Sequence, residues 1–207
     1  MNFQTIFWLA TCSSLLGRGH NTHLITLIGG PMLQRLSALI LSTVLYLGVT
    51  PASATVTLSV PNYPTVAQLE TGWNNAFIAI LTAAHGTAPT ITGTTTYQGA
   101  GGAIYVVSTF TVGSTTGSIL GTAFNPATAT SLGNGNYSYA ANKGFRCERS
   151  DGSCSCTARQ AIKPDVIIQE CVCDGGSGGC ALINIDGQFT GTYDLNPANY
   201  SSLPTMN

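Results

Sequence analysis

Charge is what this sequence has least of. Of 207 residues, 7 are Lys or Arg and 8 are Asp or Glu, about a quarter of the usual charged share. So few basic groups give no footprint for a phosphate backbone, which excludes a nucleic-acid partner. Mean hydropathy is slightly positive, which excludes a chain held disordered by its own charge. Histidine is scarce as well, with His20, His23 and His85 the full set. There is no phosphate loop ending in Gly-Lys-Ser/Thr and no D-x-D-x-D-G calcium loop.

The most informative apolar run is internal. From Met32 the chain reads MLQRLSALILSTVLYLGVTPASA. Arg35 supplies a positive start, Leu36 to Val49 an apolar centre, and Ala52-Ser53-Ala54 a small-x-small exit after Pro51. That is the layout of a secretory signal peptide cleaved between Ala54 and Thr55, and the apolar centre is too short for a comfortable membrane span. Residues 1–31 read as an upstream extension ahead of a true start at Met32. The reading places the mature protein outside the cytoplasm, secreted or in the periplasm or cell envelope, with no membrane span of its own.

Residues 55–207 have the length of one domain. Between Glu70 and Lys143 no Asp, Glu, Lys or Arg occurs, and residues 143–174 then hold ten of the thirteen mature charges. Val56, Leu58 and Val60 alternate with Thr and Ser as a strand does. Thr65 followed by Gln68 is a capping box. Behind it Val66, Leu69, Trp73, Phe77, Ile80, Leu81 and Ala84 share one helical face, and Gly86 is the natural stop. Gly72 weakens the middle of that helix. The remainder reads as β, most strongly at Ala103–Val112, where Tyr105, Val107, Thr109 and Thr111 oppose Ile104, Val106, Ser108, Phe110 and Val112. Residues 125–136 read as loop, and Ala181–Tyr193 as a further strand with Asp186-Gly187 as a hairpin tip. One helix followed by strands predicts an α+β fold: an amphipathic N-terminal helix packed on an antiparallel β-sheet, with a disulfide-stapled β-hairpin within 143–180.

The mature cysteines are Cys147, Cys154, Cys156, Cys171, Cys173 and Cys180, spaced as a palindrome. Mirror pairs across a hairpin have a constant residue sum, so the spacing predicts Cys154–Cys173 and Cys156–Cys171 as rungs and Cys147–Cys180 as an outer closure. Six cysteines admit fifteen connectivities, so spacing alone decides none. The rival is a zinc site built from the two C-x-C pairs, whose single-residue spacing is shorter than that of structural zinc sites. An even count behind a signal peptide favours disulfides, and no metal or other cofactor is expected.

Catalytic groups are sparse. His85 falls at the predicted helix C-terminus, where a cation suits the dipole, and a small hydrolase would have to be built around it. Of the carboxylates Glu70, Glu148, Asp151, Asp165, Glu170, Asp174, Asp186 and Asp194, most lie in polar turn-like contexts or beside basic residues. The segment 157–170 carries Arg159 and Lys163, and a loop stapled at both ends could present them to a protease as an inhibitor does. The sequence therefore predicts a non-enzymatic structural or adhesive protein that meets an extracellular partner or copies of itself. The alternative is a binding module or protease inhibitor acting through that loop.

Overall fold

The computed structural model describes residues 55–206, except Gly152, 163–166 and 176–178, and gives the backbone alone at 160–162 and 167. The segment expected to be a signal peptide (Ala54 included), Lys163 and Asp165 thus lie outside the described residues. The chain is α+β. Its one described α-helix, α1 (Val66–His85), is capped by Thr65, whose hydroxyl accepts from the Gln68 N–H while the Gln68 side chain accepts from the Thr65 N–H. Gly86 ends it in the left-handed conformation with φ 73°. Gly72 is buried rather than merely tolerated. A Cβ there would lie 2.6 Å from the Ser59 carbonyl oxygen, so its absence lets the chain before the helix cross close to α1.

Among the described residues eleven strands form three sheets. The largest takes β2 (Thr90–Gln98), β3 (Ile104–Val112), β4 (Thr115–Phe124), β7 (Gly144–Arg149) and β10 (Ala181–Asn184), in the order β10-β7-β4-β3-β2 and antiparallel throughout. The second takes β1 (Val56–Thr57), β5 (Thr130–Gly133), β6 (Asn136–Ala141) and β11 (Phe189–Leu195), in the order β1-β11-β6-β5. The third is a hairpin of β8 (Ser155–Ile162) and β9 (Ile167–Asp174).

The central strands of the five-stranded sheet, β3, β4 and β7, are buried on both faces. Alternation along β3 sends Ile104, Val106, Phe110 and Val112 toward Trp73, Phe77, Ile80 and Leu81 of α1. Tyr105 and Val107 point the other way, onto Leu120, Phe145, Cys147, Cys156 and Ala158 beneath the β8–β9 hairpin. The second sheet adds Tyr139, Phe189, Tyr193 and Leu195 to the helix-side core. Trp73 sits edge-on to Phe189, with ring centroids 5.0 Å apart. It lies so close to β4 that a Cβ on Gly121 would be 2.0 Å from its ring.

Three expectations need correction. Only Val56–Thr57 of the first segment pairs as strand, in parallel with β11. The stretch 125–136 contains β5, joined to β6 by Asn134 and Gly135 at φ 53° and 77°, the backbone that a tight two-residue hairpin demands. Residues 181–193 are two strands in different sheets, not one hairpin. Gly187, at φ 74°, turns the chain from β10 to β11, and Asp186 holds the turn by accepting from Lys143 Nζ (2.8 Å) and the Gly144 N–H (2.9 Å).

Two predictions follow from this packing. Gly121→Ala should cost about 1–3 kcal/mol of stability as an overpacked contact with Trp73, and adding Trp73→Phe should return part of it; chemical denaturation measures both. Burial pushes the phenols of Tyr139 and Tyr200 up to about 12 and that of Tyr193 higher still. Tyr193 and Tyr200 donate to the Ala123 and Pro64 carbonyls, each at 2.6 Å. Unfolded tyrosine ionises near 10. The folded state therefore holds these protons longer, and its stability is whole below pH 10 and falls as pH rises toward 12. Melting temperatures across that range should decline while tyrosinate absorbance from the three buried rings stays absent until unfolding.

Candidate functional site

The densest chemistry lies where the β8–β9 hairpin meets the five-stranded sheet. Residues 154 and 156 share one face, and both cysteines are buried against the sheet with Ala158. The Ala158 N–H donates to the Ser118 hydroxyl on β4, and Thr116 Oγ1 donates to the Cys154 carbonyl (3.2 Å). These bonds dock the hairpin across β4.

The six cysteines from Cys147 to Cys180 form disulfides, with Cα–Cα distances of 5.5 Å for Cys147–Cys171, 5.6 Å for Cys154–Cys173 and 5.8 Å for Cys156–Cys180, inside the usual range. Of the expected pairs only Cys154–Cys173 is present; Cys156–Cys171 and Cys147–Cys180 are not. The reason is register. Cys156 opposes Cys173 and Ala158 opposes Cys171, two residues away from the palindromic alignment. Cys173 is reached diagonally from Cys154. Cys171 is left above β7, where it bonds to buried Cys147. Cys180 runs into β10, whose Leu182 lies beside Cys147 in the ladder. That offset carries Cys180 past Cys147 and leaves it to Cys156. Closing a loop of the Cys147–Cys171 size contributes about 3 kcal/mol in the chain-entropy account.

The sulfurs of Cys154, Cys156 and Cys180 lie within 4.8 Å of one another. As cystines they offer no thiolate, which is the form that ligates zinc. Arg159 stands within β8 opposite Glu170, half-buried, and not on a projecting loop. It lines a small cavity of about 240 Å³ with Tyr97, Val107, Asp174 and Met206. Within the segment 157–170 the described residues up to Ile162 and from Ile167 are strand, so no loop presents Arg159. Thr55 is described and exposed.

A second polar group surrounds the end of α1. His85 Nε2 lies 3.2 Å from Glu148 Oε2, and Arg146 Nε lies 3.2 Å from the same oxygen. All three side chains are largely buried. His85 and Glu148 border an open cleft of about 520 Å³ that Thr115, Arg149 and Asp151 also line. The Arg149 guanidinium and the Ser153 N–H hold the Asp151 carboxyl well below the usual carboxylate range. The surface around His85 is therefore polar. Among the described residues no hydroxyl bonds to its second ring nitrogen, the position a nucleophile would need. Elsewhere Glu70 accepts from Thr96 (2.8 Å) and Asp174 from Thr157. Sequence reasoning missed Ser118 and the His85–Glu148 partnership, because each joins residues at least 40 positions apart and neither has a local motif.

Comparison with family models, curated proteins and solved structures finds no match to this chain.

Peptide mapping without reduction should return Cys147–Cys171, Cys154–Cys173 and Cys156–Cys180; the mirror-pair set would contradict the register. Ser118→Ala should cost about 1–3 kcal/mol by stranding the buried Ala158 N–H, read from denaturant midpoints.

Proposed function

We propose that this is an exported, non-catalytic protein of structural or adhesive role, working in the periplasm, at the cell envelope or outside the cell, whose partners are extracellular molecules or further copies of itself. The observation that carries the reading is the outer edge of β2. Natural edge strands are blunted by lysine, proline or bulges. β2 has one irregularity, between Ile91 and Gly93, and from there to Gln98 neither a charge nor a proline. Along that edge the described chain supplies a strand partner only at Gln98, whose N–H donates to the Pro204 carbonyl and whose carbonyl accepts from the Met206 N–H, each at 2.9 Å. By alternation the backbone groups of Thr96 and Thr94 point the same way as those of Gln98. An edge of this kind suits strand addition.

The rest of the molecule is consistent with that use. Disulfides of the kind found here persist in oxidising compartments, and no described helix is long and apolar enough to cross a membrane. The described carboxylates Glu70, Glu148, Asp151, Asp174 and Asp186 are each engaged by a neighbouring group.

Sedimentation velocity over rising protein concentration tests the self-association half. Wild type should form larger species, and Thr95→Lys, which adds a charge at the exposed edge, should shift the distribution toward monomer. A wild type that stays monomeric at every concentration contradicts it.

A further inference from the structure

The second sheet ends in an exposed aromatic held in an unfavourable backbone conformation. Tyr63 has φ 53° and is 49% exposed. Left-handed backbone is uncommon for a residue other than glycine, asparagine or aspartate, and such positions persist where surroundings or function demand them. Here the surroundings are firm. The Tyr63 N–H donates to the Asp194 carbonyl (2.6 Å), and the Asp194 N–H donates to Asn62 Oδ1 (3.0 Å). Pro64, buried next in sequence, accepts from the buried Tyr200 hydroxyl. None of these contacts uses the Tyr63 ring, so the fold holds the strained backbone while the ring stays substantially in solvent.

The Tyr63 backbone lines up with a row of the sheet. Asp194 on β11 is in register with Ser138 on β6, and Ser138 with Thr130 on β5. Tyr63, Asp194, Ser138 and Thr130 therefore form one row across the sheet, about 14 Å long at the usual strand spacing. The next pair along is Thr192 and Ala140, both exposed. Phe189, Tyr193 and Leu195 alternate with this set and point into the core, which leaves the row on the outer face. The row and the pair beside it carry hydroxyls on Ser138, Thr130 and Thr192, the small Ala140 and one carboxylate, Asp194.

We propose that Tyr63 and this outer row bind a neutral polysaccharide; the inference rests on the adhesive half of the reading above. A sugar ring has an apolar C–H face and a rim of hydroxyls. The tyrosine face, negative at its centre, suits the C–H face at low entropic cost because the ring has few rotatable bonds. Asp194 accepts hydroxyl hydrogens, while Ser138 and Thr130 donate and accept along the row. A face with hydroxyls and a single carboxylate offers nothing to an anionic chain, so the match is to an uncharged polymer.

The test compares wild type, Tyr63→Asn and Tyr63→Phe for co-sedimentation with insoluble cellulose and chitin and for retardation in gels containing soluble β-glucan, alongside melting temperatures. Wild type should bind at least one probe and Tyr63→Phe should keep most of that binding. Tyr63→Asn should bind about tenfold or more weakly yet melt at the same or a higher temperature, since asparagine accepts the left-handed backbone. Tyr63→Asn binding like wild type, or melting lower, overturns the proposal. So does a wild type that binds no probe: if it still self-associates, the glycan is wrong and the structural reading stands; if it does neither, both fall.

Discussion

The five-stranded sheet must be covered twice, and the rest of the molecule is arranged to do it. β3, β4 and β7 carry apolar side chains on both faces. A sheet of that kind is stable in water only if each face meets another layer. Helix α1 and the second sheet cover one side through Trp73, Phe77 and the Tyr139–Tyr193 aromatics. A two-stranded hairpin of eight-residue strands covers the other. Such a hairpin is marginal by itself, and the covalent links to Cys147 on β7 and to Cys180 just before β10 fasten it to the sheet it protects.

This division explains where the sequence was readable and where it was not. Thr65, Gln68 and Gly86 act on their immediate neighbours, so the helix bounds could be read directly. The two faces of β3 were legible because a strand's period is fixed at two. Cys154–Cys173 was read correctly, but the other two disulfide pairs were not, because palindromic spacing describes a hairpin in isolation. The true register answers to the sheet below, which takes Cys154, Cys156 and Ala158 as one docked face. Asn134-Gly135 was a usable hairpin signal, hidden because Thr130-Ser131-Leu132-Gly133 lacks apolar alternation. Gly72 looked like a weak point along the helix; its purpose lies across space, at Ser59.

The same logic separates scaffold from surface. Charge is concentrated between residues 143 and 174, and much of it is spent on local pairings: Glu148 with His85 and Arg146, Asp151 with Arg149, and farther along the chain Asp186 with Lys143. The uncharged tract from 71 to 142 supplies the β2 edge, and the face that Tyr63 borders is nearly uncharged as well. Hydroxyls and backbone groups then do at the surface what ions do in most soluble proteins. That leaves edges and faces suited to contacts that salt screens little. At Tyr63 the backbone departs from an easy conformation outside any hairpin turn, and there the ring is left to solvent.

The central claim is that the cystine-tied hairpin keeps the second face of the sheet dry. Hydrogen exchange resolved by peptide, on native protein and on protein with its disulfides reduced and blocked, tests it most directly. Reduction should strip protection from β8 and β9 first and then from β7 and β4, where Phe145 and Leu120 lose their cover, while α1 and β11 retain protection longest. Unchanged protection of β8 and β9 after reduction, or simultaneous loss throughout the molecule, would contradict it.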